Sequence, residues 1–130
     1  MITQPSTNLT LKLQLEEMLL VGLGAVPGAL LRWLASAYLA DQNLLVNVGG
    51  ALLLGFLAGS PKAPKRQLLL GVGFCGSVTT FSSWMLSTLN MISSGEWGSA
   101  VGLLGLTLGI GLGAAALGFC FGQSVSNRRI

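Results

Sequence analysis

Charged residues are spaced far apart along this chain, and that spacing limits its folds more than any other sequence feature. Asp41 and Lys62 enclose 20 uncharged residues. Arg66 and Glu96 enclose 29, and the stretch from Glu96 to Arg128 encloses 31. A fourth long stretch precedes Asp41 and contains a single arginine. Because about 20 apolar helical residues cross the ~30 Å hydrocarbon core of a bilayer, the pattern predicts four membrane-spanning helices.

Composition supports a membrane location and excludes several function classes. Of the 130 residues, 52% are hydrophobic and only 8% are charged, whereas soluble domains carry about 25% charged residues. The chain has no histidine, and Cys75 and Cys120 fall within apolar stretches. A zinc site, a disulfide framework and a hydrolase triad are therefore not expected. The scattered net charge of +3 does not suggest a nucleic-acid surface. We predict an all-α integral membrane protein that is not an enzyme.

The predicted transmembrane domain covers residues 19–122, flanked by tails at 1–18 and 123–130. Its four spans cover about residues 19–39, 44–59, 68–92 and 99–122. In the first 15 residues apolar and polar side chains alternate, which fits a short strand, an interfacial segment or a loose tail. A cleaved signal peptide with a basic start is not expected there, so the first span is predicted to be a retained anchor.

The third span has a composition that disfavours a continuous helix. Glycine recurs in its first half, and Ser77, Val78, Thr79 and Thr80 follow Gly76. Glycine and β-branched residues are weaker helix formers, and hydroxyl groups compete for backbone hydrogen bonds. We expect the helix to break near Gly76–Thr80. Lipid does not accept exposed carbonyl groups, so the break must be buried in protein or line a watery cavity, where transporters often bind ions.

The fourth span contains glycines at regular intervals. Gly105, Gly109 and Gly113 recur every four residues, as do Gly118 and Gly122. Small residues at this spacing let helices approach closely in a bilayer. The span is therefore predicted to serve helix packing.

Three motifs in fixed order carry a resemblance to a known family. They are GAVPGALLRW at 24–33, NVGGALLLG at 47–55 and GFCGSVTTFSS at 73–83. Together they resemble the Fluc/CrcB family of fluoride-selective channels, whose pattern is a glycine-rich stretch ending in arginine, then N-x-x-G, then a G-x-T-T-F-S break. The resemblance covers roughly residues 22–122.

The resemblance implies a dimer of four-helix subunits inserted antiparallel to each other, with two fluoride pores along the interface and a structural sodium ion at its centre. Backbone carbonyls of Gly76 and Thr79 would bind the sodium ion. Arg32 would be the vestibule cation. The residues expected to line or adjoin the pore are Asn47, Phe81, Ser82, Ser83, Trp84 and Thr107.

Each of these assignments has a structural alternative. Aromatic residues in a membrane helix are often packing residues, and Asn47 would otherwise be an interhelical hydrogen-bond donor. The Arg32 side chain would otherwise extend to the membrane surface or pair with Asp41. Three residues also depart from the family pattern. Trp84 replaces a second phenylalanine. On the fourth span, Leu103 and Thr107 stand in place of a tyrosine and of a serine one turn later, so the polar track is thinned.

The basic residues are distributed unequally between the two sides of the membrane. Four spans place both termini and the loop 60–67 on one side, which then holds Lys12, Lys62, Lys65, Arg66, Arg128 and Arg129. The opposite loops contain no lysine or arginine. The positive-inside rule therefore predicts cytoplasmic termini in a bacterial cell membrane. A dual-topology homodimer needs a bias near zero, so we favour a heterodimer with an oppositely oriented paralogue, with a homodimer as the alternative.

The predicted function is passive fluoride efflux, which lowers cytoplasmic fluoride and its toxicity. A non-conducting or partner-dependent assembly subunit is the alternative. A small multidrug exporter is disfavoured, because it needs a carboxylate within the membrane. The four acidic residues, Glu16, Glu17, Asp41 and Glu96, all fall at the ends of predicted spans.

Overall fold

A computed structural model describes residues 7–38 and 43–128, and within these residues the chain is helical without strands. The elements are α1 (Thr7–Tyr38), α2 (Asn43–Gly59), α3 (Pro64–Arg66), a π-helix (Gln67–Cys75), α4 (Gly76–Val78), α5 (Ser82–Ser93) and α6 (Trp97–Asn127). Three helical stretches are long and apolar enough to cross a membrane, namely Thr10–Tyr38, Pro64–Ser93 and Trp97–Asn127. The apolar part of α2, Leu44–Gly59, is shorter. The architecture fits a multi-pass membrane protein.

The outer helices extend beyond the predicted spans. α1 begins at Thr7, so the strand and loose-tail interpretations are wrong for residues 7–15. α6 continues to Asn127, beyond the predicted end of the fourth span near residue 122. Residues 7–21 contain no glycine or proline, and leucine, lysine, glutamine and glutamate are good helix formers. With 32 residues, α1 is about 48 Å long and exceeds the hydrocarbon core by several turns.

Neighbouring contacts show an up-down-up-down order of helices. Glu16 on α1 pairs with Lys65 on α3 at one end of the molecule, and further along both helices Gly28 lies against Ser77. The first and third spans are therefore parallel. The C-terminal end of α2 lies beside Gly122 of α6. Both termini of the described chain and the loop at residues 60–63 consequently share one end, as the span count predicts.

Glycine contacts bring α2 and α6 together. A Cβ atom on Gly118 would lie 2.0 Å from the Leu52 carbonyl oxygen, and one on Gly55 would lie 2.0 Å from that of Ala115. These backbones touch because neither position carries a side chain. The predicted packing role is confirmed for Gly118 and for Gly122, which lies against the Phe56 carbonyl.

The N-terminal half of the α6 glycine stripe behaves differently. No atom of the described chain lies within 4 Å of a Cβ placed on Gly105, Gly109 or Gly113. These three glycines therefore do not pack within the described chain, and their packing against a second subunit stays a prediction. An α-helix has 3.6 residues per turn, and this periodicity places these three glycines on the face of α6 opposite Gly118 and Gly122. That face points away from α2.

The third span packs on α1 through a π-helix, which the sequence did not predict. A Cβ on Gly73 would lie 2.5 Å from the Val21 carbonyl oxygen, and one on Gly24 would lie 1.9 Å from that of Leu69. The π-helix replaces i→i+4 hydrogen bonds with i→i+5 bonds over nine residues. The π-helix is followed by the short helix α4, and the break comes directly after α4.

Candidate functional site

The third span is interrupted over residues 79–81, between α4 and α5. Thr79 has φ −78° and ψ 151°, an extended conformation that ends the helix. The chain becomes helical again at Ser82. The predicted break is confirmed, at the C-terminal end of the predicted range.

Asn47 of α2 holds the break through two hydrogen bonds. Its Nδ2 donates to the Thr80 carbonyl at 2.8 Å, and the Thr80 N–H donates to its Oδ1 at 2.7 Å. In a continued α-helix that N–H would donate to the Gly76 carbonyl instead. The carboxamide thus replaces the helical partner of the Thr80 N–H. The alternative prediction for Asn47, that it donates a hydrogen bond between helices, agrees with its bond to the Thr80 carbonyl. One hydrogen of Nδ2 remains for another acceptor.

Three hydroxyl groups cluster where α5 begins. Thr80 Oγ1 lies 3.3 Å from Ser82 Oγ and 3.4 Å from Ser83 Oγ. Thr80 is buried with 5% of its surface exposed. The N-terminal end of a helix carries a partial positive charge and unpaired N–H groups, so this position favours an anion.

A cavity of about 280 Å³ lies between α2, α5 and α6 and extends from the break toward the α5–α6 turn. Its lining residues are Leu44, Asn47, Ser83, Trp84, Ser87, Met91, Leu103 and Thr107. It brings together four of the predicted pore residues with the apolar Leu103. Its wall includes one amide and three hydroxyl groups, which belong to three different helices.

Sequence reasoning missed three residues of this cavity, Leu44, Ser87 and Met91. Ser87 and Met91 follow Ser83 at intervals of four, which places all three on one face of α5. Extending the pore face by helical spacing would have found both. Ser87 Oγ donates to the Ser83 carbonyl at 3.2 Å.

Phe81 and Ser82 do not line the cavity. Phe81 is 64% exposed, and its ring meets the Trp84 ring edge to face, with centroids 4.7 Å apart and an interplanar angle of 73°. Trp84 itself lines the cavity. Phe81 therefore projects from the chain's surface beside the cavity and orients one of its walls.

Arg32 and the two predicted sodium ligands lie outside the cavity wall. Arg32 is half-buried and makes no hydrogen bond or ion pair with any residue that the structure describes. Its alternative partner, Asp41, lies outside the described residues. Gly76 is exposed at the end of the π-helix, and Thr79 begins the break.

Side chains suited to a transition metal are not grouped anywhere in residues 7–38 and 43–128. The oxygens that the break offers to a cation include backbone carbonyls. Carbonyl oxygens are hard ligands, which suit hard cations. The Gly76 carbonyl fits such a role, because Thr80 N–H donates to Asn47 instead.

Comparison with known proteins decides the family. A family model described as CrcB-like protein, Camphor Resistance (CrcB), matches residues 19–119. The chain belongs to the CrcB-like family. The match includes α2, the break and every residue of the cavity wall.

Curated CrcB-like relatives extend over most of the chain. "Fluoride-specific ion channel FluC 2" of Synechococcus sp. (strain CC9605) is 68% identical over 92% of this chain and 90% of its own length. The protein of the same name in Prochlorococcus marinus (strain MIT 9313) is 58% identical over 92% of this chain and 89% of its own length. "Fluoride-specific ion channel FluC 1" of another strain of Prochlorococcus marinus is 36% identical over 86% of both chains.

Proposed function

We propose that this protein is a fluoride-selective channel through which fluoride leaves the cell passively, and that it is not an enzyme. The observation that carries the proposal is the cavity at the break, where Asn47, Ser83 and Thr107 supply hydrogen-bond donors near the N-terminus of α5. The names of the relatives, fluoride-specific ion channels, agree with this activity.

The cavity suits a small, strongly hydrated anion. A pore must replace the water donors of such an ion without holding it too firmly. Amide and hydroxyl groups donate hydrogen bonds, and the edge of an aromatic ring is positive. Trp84 supplies such a ring, together with an indole N–H. Chloride is larger than fluoride and is expected to be rejected by a constriction of these groups.

A second, antiparallel subunit is part of the proposal. The break leaves Gly76, Phe81 and Ser82 exposed on a single chain, and irregular backbone at membrane depth is tolerated only when protein or water covers it. A partner chain placed over the break would cover these residues and close the open side of the cavity. The two pores of such a dimer would then lie along its interface.

We favour a heterodimer with a paralogue over a homodimer. Lys12, Lys62, Lys65, Arg66 and Arg128 all lie at one end of the described chain, and this asymmetry opposes insertion in both directions. Relatives named FluC 1 and FluC 2 are consistent with pairs of paralogues. The apolar Leu103 in the cavity wall favours a subunit that depends on its partner for part of the polar track.

A structural sodium ion, which is not transported, completes the proposed assembly. The backbone carbonyls of Gly76 and Thr79 from each subunit would hold the ion. Carbonyl groups at the break lack their helical hydrogen-bond partners, and the positive charge of the ion would stabilise them. Replacing Na⁺ by N-methyl-D-glucamine during thermal unfolding of the purified assembly should lower the unfolding temperature. An unchanged unfolding temperature in the two cations would argue against the ion.

Anion efflux from proteoliposomes tests the channel directly. The chain is reconstituted into vesicles with or without an oppositely oriented paralogue. The vesicles are loaded with potassium fluoride or potassium chloride, and valinomycin makes their membranes permeable to potassium. We expect fluoride efflux without a proton gradient and little chloride efflux. Equal rates for the two anions would overturn selectivity. No flux in either pairing would favour the non-conducting assembly subunit.

A further inference from the structure

An apolar groove lies between α2 and α6, away from the proposed pore, and the basic side chain of Arg128 lines one end of it. Its volume is about 480 Å³, and its lining residues are Leu52, Leu53, Phe56, Gly118, Phe121, Ser124, Val125 and Arg128. Gly118 allows the two helices to touch at the inner end of the groove. The larger side chains on either side, such as Phe56 and Phe121, then form its walls.

Polarity changes along this groove in one direction. The residues around Gly118 are apolar, whereas the polar residues, Ser124 and Arg128, lie toward the end of α6. Arg128 follows Gly118 by ten positions along the chain, which is about 15 Å of helix, or half of the ~30 Å hydrocarbon core. The groove therefore has the depth of one leaflet.

Arg128 is the donor that remains available at the mouth of the groove. Its guanidinium makes no hydrogen bond or ion pair with the described residues, whereas Ser124 Oγ donates to the Cys120 carbonyl. Other basic residues, including Lys62, lie at the same end of the molecule. A phosphate at the membrane surface would pair with a guanidinium through charge-assisted hydrogen bonds.

We propose that this groove binds one anionic phospholipid, with an acyl chain along Leu52, Phe56 and Phe121 and the phosphate at Arg128. The lipid lies in the leaflet that faces the basic end of the chain. Basic pockets between membrane helices bind anionic headgroups in this manner. Phe121 is 63% exposed and Leu52 is 42% exposed, so both offer apolar surface to an acyl chain.

Thermal unfolding of the purified full-length protein in detergent tests the site, with added phosphatidylglycerol or phosphatidylcholine of the same acyl chains as probes. We expect phosphatidylglycerol to stabilise the protein at a concentration about fivefold lower than phosphatidylcholine, on the scale of one basic side chain at an anionic surface. Arg128→Gln should remove this preference. Lys12→Gln is the matched control, since it removes an exposed cation at the same end but outside the groove, and should retain the preference.

Two results would overturn the proposal. One is an equal effect of the two lipids on the unchanged protein. The other is a groove that is covered by a second subunit. In that case Val125→Trp would convert dimers into monomers during size-exclusion chromatography, and the lipid preference would be unaffected. With lipid in the groove, Val125→Trp should weaken the stabilisation by phosphatidylglycerol and leave the oligomeric state unchanged.

Discussion

At the scale of single residues, Asn47 links the fold to the proposed function. Its carboxamide bonds both backbone groups of Thr80 and also lines the cavity. The same side chain therefore fixes the break and contributes a remaining N–H to the cavity. A substitution at this residue should affect stability and conduction together.

Asn47→Ala removes both bonds and leaves the polar groups of Thr80 without their partner. We expect the free energy of unfolding to fall by about 1–3 kcal/mol, the cost of unsatisfied buried polar groups, and fluoride efflux to be lost. Asn90→Ala is the control, because the Asn90 side chain is exposed on α5 outside the cavity. Thermal unfolding and proteoliposome efflux measure the two effects. Unchanged stability in Asn47→Ala would contradict the role assigned to these hydrogen bonds.

Phe81 and Trp84 are expected to contribute unequally to fluoride flux. Trp84→Phe keeps an aromatic ring in the cavity wall and its contact with Phe81, so flux should be kept or raised. Phe81→Ile removes the ring that meets Trp84 edge to face beside the cavity, and flux should fall at least about tenfold, which corresponds to a barrier higher by ~1.4 kcal/mol. Fluoride efflux from proteoliposomes measures both variants. Loss of flux in Trp84→Phe with normal flux in Phe81→Ile would reverse the assignment.

At the scale of helices, packing depends on which glycines face a neighbour. The backbones of α2 and α6 touch at Gly55 and Gly118, whereas Gly109 faces away from the described chain. Helices of nearly uniform apolar composition gain little from burying one face instead of another in lipid. Close backbone approach therefore decides how α2 and α6 are rotated against each other.

Gly118→Ala and Gly109→Ala should have opposite effects on the stability of the chain. The Cβ of Gly118→Ala would lie 2.0 Å from the Leu52 carbonyl oxygen, so the helices must separate, at a cost of about 1–3 kcal/mol. Gly109→Ala meets open space and should stabilise α6 by roughly 0.5–1 kcal/mol. Thermal unfolding in detergent compares the two. Equal stability of both variants would show that the α2–α6 contact does not contribute.

At the scale of the whole molecule, charge asymmetry is expected to determine orientation in the membrane. The Glu16–Lys65 ion pair and the contact of Gly59 with α6 place the N-terminal helix, the loop and the end of α6 together. Basic residues therefore accumulate at one end, and the α5–α6 turn at the other end carries Glu96. We expect the basic end to face the cytoplasm.

A reporter fused to the C-terminus and expressed without a paralogue should give signal only from the cytoplasm. A triple substitution of Lys62, Lys65 and Arg66 to glutamine should produce mixed orientations, because it removes half of the basic bias. Triple substitution of the exposed serines 87, 93 and 94 to alanine is a control that leaves the charge unchanged. Similar signal from both sides in the unchanged chain would contradict a fixed orientation and favour the homodimer.

The amino-acid sequence was sufficient to predict the membrane location, the four helical stretches, the break and the family resemblance. These features follow from local properties, namely charge spacing, apolar length and the weak helix propensity of residues 76–80. The tertiary structure was needed to show that Asn47 bonds Thr80, 33 residues away, that Ser87 and Met91 join the cavity, and that Gly118 packs while Gly109 does not. The reason is physical: these contacts depend on how each helix is rotated about its axis, and helices that are apolar on all sides carry little periodic signal to specify that rotation.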